Sequence, residues 1–222
     1  MSALRFSVLI IFFPILLSTC GRSDLIRIRI LSPISETKKD HTIFTDTSDT
    51  AKKITTADPK TSGGSLYFLF KSIGLGYTTV TTKIDNEILN SSSNALLLRE
   101  KTTLVTNYTD LAFGIGENYT LMWGAGVLAG GKLDTTLNYS EEPDDPVLHK
   151  NLSGHSLFLI LGHHGFGFET LLGFRTNYIK ADLEEDSLSK AKKKKAAGSI
   201  SYESSGLRFT TNQVQLGIGV TF

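Results

Sequence analysis

The stretch VQLGIGVTF, residues 214–222, alternates apolar side chains with glycine or polar side chains at every position. Its apolar members are Val214, Leu216, Ile218, Val220 and Phe222. A period of two residues is typical of a β-strand, in which successive side chains point to opposite sides of the sheet. The stretch therefore predicts a strand with one apolar face and one face of small and polar residues.

The same alternation recurs upstream. One face of residues 119–127 carries Tyr119, Leu121, Trp123, Ala125 and Val127, opposite a face rich in glycine. Residues 166–177 carry Phe166, Phe168, Leu172 and Phe174 on one face, with Thr170, and Gly167, Glu169, Gly173, Arg175 and Asn177 on the other. From residue 65 onward we predict an all-β chain with six strong strands, at about 66–82, 102–116, 119–136, 155–162, 166–181 and 207–222.

The connections between these strands are sorted by length. Residues 116–118 and 163–165 form short turns, whereas residues 83–101, 137–154 and 182–206 form long polar connections. A soluble sandwich has no reason to alternate short and long loops, but a membrane barrel has short turns at one end and long loops at the other. Small and polar residues on the second face of each strand fit a narrow barrel interior.

The final stretch, with its aromatic residue Phe222, resembles the terminal strand of bacterial outer-membrane β-barrel proteins. In that family the assembly machinery reads a C-terminal aromatic residue preceded by apolar residues at every second position. The resemblance covers residues 64–222 and implies a small antiparallel up-and-down barrel of the OmpA/OmpX-like class, located in the bacterial outer membrane. It also implies outer-membrane lipid and the barrel assembly machinery as partners.

Bacterial barrels of this kind have an even number of strands, starting at eight. The six strong strands therefore require one more hairpin. Residues 25–30 paired with residues near 42–45 would supply it, and so would residues such as 95–98 within a long connection. In the first strand the apolar phase changes at Lys71-Ser72, which predicts a β-bulge there.

The N-terminal part predicts export. Residues 1–19 carry Arg5 followed by a twelve-residue apolar segment, which is typical of a secretory signal peptide. Cys20 follows Leu17-Ser18-Thr19 and resembles the lipid-modified cysteine of bacterial lipoproteins; an ordinary cleaved signal with an incidental cysteine is the alternative. We interpret residues 20–63 as a polar flexible arm with an optional short strand at 25–30.

Composition excludes several classes of protein. The 222 residues carry 23 Lys and Arg against 22 Asp and Glu, so the chain has no basic field that would attract nucleic acid. A single cysteine excludes a disulfide framework and a cysteine-rich zinc site. We therefore expect no nucleic-acid partner and no cofactor.

Charged residues on the predicted inner faces are the candidate binding residues. Glu169 and Arg175 share one face but lie six residues apart, about 20 Å along a strand, and therefore cannot touch. We expect them to pair across the interior with Asp110 or Lys132. Such pairs would fill a small barrel as an ion-pair network, or line a polar pore or ligand cavity.

Two histidine-containing pairs contain residue types that metal sites and hydrolytic enzymes use. His163 and His164 are the most metal-like residues, but adjacent strand residues point apart and rarely bind one ion. His155 and Ser156, with Glu169 or Asp110 as the acid, contain the residue types of a hydrolytic triad, as in lipid-modifying barrel enzymes. Since neighbours in a strand face opposite ways, neither pair forms a site by itself. We predict no catalytic residue and no metal site.

Basic residues cluster in the predicted connection 182–206. A solvated loop that balances its own charge is one interpretation, and a surface for an anionic ligand is the other. The cluster consists of Lys190, Lys192, Lys193, Lys194 and Lys195.

The sequence thus predicts an integral outer-membrane barrel with a structural or surface-interaction role and no catalysis. The alternative is a periplasmic or surface lipoprotein with a soluble lipocalin-like barrel or sandwich that binds an apolar ligand. A pore is disfavoured because side chains nearly fill the interior of an eight-stranded barrel. The first two hypotheses differ in whether the apolar strand faces point outward or inward.

Overall fold

The computed structural model describes residues 26–39, 44–46, 52–56, 59–90, 96–139, 145–165, 167–183, 200–202 and 207–222. Eleven strands lie in these ranges: β1 (Ile26–Lys39), β2 (Phe44–Asp46), β3 (Lys52–Thr56), β4 (Lys60–Phe70), β5 (Ile73–Asn90), β6 (Leu96–Ile115), β7 (Tyr119–Tyr139), β8 (Asp145–Gly165), β9 (Phe168–Leu183), β10 (Ile200–Tyr202) and β11 (Leu207–Thr221). Within the same ranges, no helix is long and apolar enough to cross a membrane.

Eight long strands form a closed antiparallel barrel, which confirms the predicted fold. Their order is β5-β4-β1-β11-β9-β8-β7-β6, and β6 pairs with β5 to close the ring. The β1–β11 pairing joins the first and last of these strands, from Arg27 opposite Thr221 to Lys39 opposite Thr210. At its end, the Phe222 amide donates to the Ile26 carbonyl oxygen at 2.9 Å. Closure leaves none of the eight strands as a free edge.

Two strands were missing from the six predicted. One is β1, and the other arises because residues 66–82, predicted as one strand, form parts of two strands, β4 and β5. Lys71 and Ser72 form a two-residue turn between β4 and β5, and Lys71 adopts a positive φ of 55°. The predicted β-bulge at this point was wrong, because the phase change marks a chain reversal. β1 pairs with β11 and β4 rather than with residues 42–45, and residues 96–98 lengthen β6.

The barrel begins at Ile26 and not at residue 64. The described parts of the segment expected to be a flexible linker form β1, β2, β3 and the start of β4. The apolar alternation of β1 stops at residue 30 because Leu31 is buried inside and the polar Ser32 is exposed, and a register shift follows between Pro33 and Ser35. The predicted signal peptide at 1–19 and the lipidation candidate Cys20 lie outside the described residues.

The two ends of the barrel differ. The short connections from β4 to β5, from β6 to β7 and from β8 to β9 lie at one end, which we name the turn end, together with Ile26 and Phe222. The opposite ends of the same strands define the loop end. Strands continue much farther toward this end than predicted, because β5 runs to Asn90 and β8 starts at Asp145. Residues 83–101 and 137–154 were interpreted as long loops because polar and charged residues interrupt the apolar alternation in these strand extensions.

The interior is packed with side chains. A cluster of apolar side chains lies between two layers of charged groups. On β9, for example, the inward-facing Leu171 lies between the inward-facing charged residues Glu169 and Arg175. This cluster consists of Leu31, Tyr67, Leu69, Ala112, Met122, Phe158, Ile160 and Leu171.

Candidate functional site

The outer wall of the barrel carries a continuous band of exposed apolar side chains. On β9 the band runs from Phe168, which is 62% exposed, through Leu172 and Phe174 to Tyr178. Ten residues of strand span about 33 Å, or about 25 Å along the axis of a barrel whose strands tilt by about 40°. This apolar band also includes Leu66, Phe68, Phe70, Ile73, Leu75, Tyr77, Leu111, Tyr119, Val127, Leu157, Leu159, Leu161, Leu216, Ile218 and Phe222.

The predicted directions of the strand faces are confirmed. The predicted apolar faces of residues 119–127, 168–174 and 214–222 point outward, and Glu169, Arg175 and Gln215 are buried inside. Residues 157–161 are apolar on both faces. Leu157, Leu159 and Leu161 point outward, and Phe158 and Ile160 point into the interior.

Histidine–tyrosine pairs border the apolar band on β8. At the turn end, the ring centroids of His163 and Tyr119 lie 5.0 Å apart. At the loop end, the rings of His155 and Tyr178 stack with centroids 5.0 Å apart and planes 24° apart. Rings with an apolar body and a polar tip are suited to both boundaries of such a band.

His163 and His164 point to different sides, as their adjacency predicts. His163 faces outward against Tyr119, whereas His164 Nδ1 lies 3.5 Å from Thr221 Oγ1. Among the residues described, no three His, Cys, Asp or Glu side chains are grouped so that they could hold a metal ion.

A buried ion pair between Arg175 and Asp110 organises the middle of the interior. Arg175 Nη1 donates to Asp110 Oδ2 at 2.8 Å, and Nη2 donates to Oδ1 at 2.9 Å. Both side chains are completely buried. Asp110 also accepts hydrogen bonds from Thr78 Oγ1 at 2.7 Å and from the Tyr67 hydroxyl at 3.2 Å. This is one of the cross-interior pairs that the sequence predicts.

The remaining donors of Arg175 are also engaged. Its Nη2 donates to Ser156 Oγ at 2.5 Å, and its Nε donates to Asn177 Oδ1 at 3.0 Å. The ring of Tyr108 lies 4.7 Å from the guanidinium carbon and that of Phe158 lies 5.6 Å from it. The guanidinium is thus held on all sides by acceptors and aromatic faces.

A second ion pair lies nearer the turn end. Arg29 Nε donates to Glu169 Oε2 at 2.7 Å and Nη2 donates to Oε1 at 2.8 Å, with both side chains fully buried. Arg27 Nη1 lies 3.9 Å from the same carboxylate. Glu169 therefore pairs with arginines of β1. The predicted partners across the interior, Asp110 and Lys132, do not pair with it. The sequence interpretation missed both arginines because β1 had no assigned place in the barrel.

Lys132 is not an interior residue. Its side chain is 71% exposed, and its Nζ lies 2.8 Å from Asp134 Oδ2. In the β6–β7 register Asn107 faces Gly130 while Tyr108 faces Leu128, so Ala129 is an extra residue in β7. One inserted residue exchanges the two faces of the strand beyond it. The prediction for Lys132 was wrong because it extended the phase of Gly124 and Gly126 across this bulge.

Two further buried carboxylates lie toward the loop end, and the sequence interpretation missed both. Glu36 accepts hydrogen bonds from Thr82 Oγ1 at 2.7 Å, from Gln213 Nε2 at 3.0 Å and from Thr61 Oγ1. Glu100 accepts from Asn86 Nδ2 at 3.1 Å. Neutral groups therefore donate hydrogen bonds to both carboxylates. They were overlooked because their segments were interpreted as a linker and a loop.

The wall of the barrel separates His155 from Ser156. Ser156 is fully buried under Arg175, whereas His155 stacks on Tyr178 outside. His155 therefore cannot act as a base for the Ser156 hydroxyl, so this pair supports no nucleophilic step. The lysine cluster from Lys190 to Lys195 lies outside the described residues.

Glycines make room for the interior network. A Cβ added to Gly126 would meet Asp110 Oδ1, would lie 2.7 Å from Ser156 Oγ and would lie 3.1 Å from Arg175 Nη2. A methyl group there would push directly on the central ion pair, whose position is fixed from several strands.

We expect Gly126→Ala to lower the free energy of unfolding by about 1–3 kcal/mol, the usual cost of overpacking a tight interior. Urea unfolding of the purified barrel in lipid vesicles measures this change. The matched control is Gly165→Ala, since nothing lies within 4 Å of a Cβ added at Gly165. Equal stability of the two variants would show that the interior is loosely packed at Gly126.

Similarities to known proteins are confined to solved structures. No protein-family model matches the sequence, and no curated protein sequence is significantly similar to it. The outer-membrane protein OprG of Pseudomonas aeruginosa is 11% identical with a TM-score of 0.41, covering 89% of this chain and 95% of its own.

Two further structures are similar at the same level. Neisserial surface protein A is 11% identical with a TM-score of 0.41, covering 91% of this chain and 99% of its own. The Escherichia coli outer-membrane protease OmpT is 11% identical with a TM-score of 0.47, covering 92% of this chain and 100% of its own. At this identity and these TM-scores the similarities carry no inference about function, which rests on the barrel's own surfaces.

Proposed function

We propose that this protein is an integral outer-membrane β-barrel with a closed interior and a structural or surface-interaction role. The observation that carries the proposal is the distribution of side chains across the barrel wall. Large apolar residues form a band outside, and ion pairs such as Arg175–Asp110 and Arg29–Glu169 lie inside.

This distribution is the reverse of what a soluble barrel needs. In water, a band of exposed phenylalanine, leucine and isoleucine around the whole circumference would cause aggregation. In a bilayer the same band faces lipid hydrocarbon, and its height of about 25 Å matches that of membrane barrels. A lipocalin-like protein would instead present an apolar cavity inside, where this chain has buried Arg29, Arg175 and Asp110.

The interior disfavours a pore. Charged, apolar and charged layers follow one another along the axis, formed by Glu169, Leu171 and Arg175 on β9 and their partners. All three side chains are at most 3% exposed, so they occlude the lumen at successive levels. The role of the protein is therefore assigned to its outer surface and its loop end, and no catalytic step is proposed.

Outer-membrane lipid around the apolar band is the first proposed partner. The barrel assembly machinery is the second, because β11 and Phe222 carry the alternation that resembles an assembly signal. An anionic ligand at Lys190 and Lys192–Lys195 stays a prediction from the sequence. The loop end faces the cell exterior in this arrangement, since short turns of such barrels are periplasmic.

The test is extraction of isolated outer membranes at alkaline pH, combined with trypsin treatment of intact cells. The protein should stay in the membrane pellet, because extraction removes peripheral proteins but not chains embedded in hydrocarbon. Trypsin should cut between residues 184 and 199, which contain the lysine cluster.

A peripheral lipoprotein of the same host provides the control, since it is released once its acyl chain is removed. Release of the full-length protein into the alkaline supernatant would contradict membrane integration. Cleavage at the turn end with protection of residues 184–199 would invert the orientation and leave membrane integration intact.

A further inference from the structure

The outer wall of the barrel changes from apolar to polar at one height on three adjacent strands, two of which carry a cation there. On β9, Tyr178 ends the apolar band and Lys180 follows on the same face. On β11, Thr210 and Arg208 follow above the apolar residues, and on β8 His155 and Ser153 do so. These positions are aligned across the strands, because Lys180 faces Arg208 on one side and Ser153 on the other.

The side chains at this height line a pocket of about 350 Å³ on the outside of the barrel. It is formed by Ser153, Gly154, His155, Tyr178, Ile179, Lys180, Arg208 and Thr210. Its lining therefore combines two cations, two hydroxyl groups and a stacked aromatic pair, and it contains no acidic residue. A register shift between Lys150 and Ser153 in β8 lies at its edge.

Neither cation has an ion-pair partner in the part of the chain that the structure describes. Lys180 and Arg208 are both exposed and lie opposite each other, so their like charges repel unless an anion lies between them. Asp182 is the next acid on the same face of β9, and it accepts a hydrogen bond from Asn151 Nδ2 at 3.2 Å.

The height of the pocket identifies the kind of anion. Lys180 lies two residues beyond Tyr178, or about 5 Å farther along the barrel axis than the edge of the apolar band. This is the level of lipid headgroups, and the loop end places it in the outer leaflet. We propose that this pocket binds the phosphate of an anionic lipid headgroup, an inference that rests on the proposed membrane function.

In the proposed complex, the headgroup phosphate lies between Lys180 and Arg208. The Arg208 guanidinium offers paired donors that match phosphate oxygens, and the Lys180 ammonium acts as a point charge. Ser153 and Thr210 can donate to the remaining oxygens. The His155–Tyr178 stack supports the glycerol region, and the acyl chains continue down the apolar band over Phe174 and Leu172.

The experiment uses the full-length protein in dodecyl maltoside with equimolar dioleoyl phosphatidate and dioleoyl phosphatidylcholine. Native mass spectrometry gives the ratio of the two lipids retained. Wild type should prefer phosphatidate. The Lys180→Gln and Arg208→Gln variants should each lower this preference about 5-fold, and the double variant about 30-fold, from the usual contribution of a cation beside an anionic headgroup.

The matched control is Lys83→Gln with Lys101→Gln, which removes two exposed cations from the β5–β6 wall without touching the pocket. It should keep the preference of wild type. An equal loss in this control would show that net charge alone attracts the lipid and would overturn the proposed site.

Two further measurements separate the possible failures. Millimolar inorganic phosphate should not displace phosphatidate, because it lacks the acyl chains; full displacement would assign the pocket to free phosphate instead of lipid. Every variant should resist alkaline extraction. Wild type that resists extraction without preferring phosphatidate would reject the site alone, whereas wild type that is extracted would reject the membrane function and the site together.

Discussion

Replacing Arg175 with methionine should lower the free energy of unfolding by about 3–5 kcal/mol, a large share of the 5–15 kcal/mol typical of folded proteins. The variant leaves the fully buried Asp110 carboxylate without its bidentate cation. Thr78 and Tyr67 would still donate to it, but two neutral donors do not compensate a buried charge. Urea unfolding in lipid vesicles, with the compact form monitored by its gel mobility, measures this decrease in the free energy of unfolding.

A second variant tests the cause. Asp110→Asn in the Arg175→Met background removes the uncompensated charge while its amide oxygen still accepts from Thr78 and Tyr67. We expect this double variant to regain most of the lost stability.

The control for position is Arg99→Met, because the side chains of Arg99 and Glu87 in this ion pair are 43% and 35% exposed. Such surface pairs contribute about 0–1 kcal/mol. A loss for Arg175→Met no larger than that for Arg99→Met would contradict the structural role assigned to the interior pair.

Leu172→Arg should prevent most of the protein from assembling in the membrane. Leu172 points outward near the middle of the β9 section of the apolar band, between Phe168 and Tyr178. Arginine on the lipid face costs about 2–4 kcal/mol near the bilayer midplane and about 0–1 kcal/mol at its edge. The readout is the fraction of protein that runs as a compact, heat-modifiable band after mild detergent extraction.

Depth provides the internal control. Phe168→Arg makes the same chemical change at the turn-end edge of the apolar band, so it should assemble nearly as well as wild type. Normal assembly of Leu172→Arg together with failure of Glu169→Leu would mean that the faces are reversed. The apolar side would then be an interior core, as in the soluble alternative.

The parts of the barrel predicted from the sequence are those where the alternation is uninterrupted. At the height of the apolar band, one face of each strand contacts lipid and must be apolar, while the other faces a narrow interior of small and polar side chains. The residue types therefore indicate which face of the strand points outward. Glu169 and Arg175 were placed inside for this reason, as their burial confirms. Alternation does not reveal how tightly this interior is packed: a Cβ added to Gly173, on the same face, would lie 2.9 Å from Leu31 Cδ2 and 3.2 Å from Gln215 Cβ.

The errors occur where one residue shifts the phase. The turn at Lys71-Ser72 contains no glycine, asparagine or proline, so two strands were interpreted as one bulged strand. The extra residue at Ala129 moved Lys132 from the interior to the surface. The partners of Asp110 and Glu169 depend on which strands are neighbours, and that depends on the β1–β11 closure, which no local pattern specifies.

The β1–β11 pairing has a consequence for the order of folding events. Most neighbouring strands in the barrel are joined by hairpins, and such contacts form early because the intervening chain is short. The pairing of Arg27 with Thr221 joins positions at opposite ends of the barrel segment, so it forms after the hairpins are aligned. Until then β1 and β11 present open backbone edges, and one copy of the chain could pair with another. We therefore expect the yield of correctly closed barrels to fall as protein concentration rises during refolding, while the rate of hairpin formation stays constant.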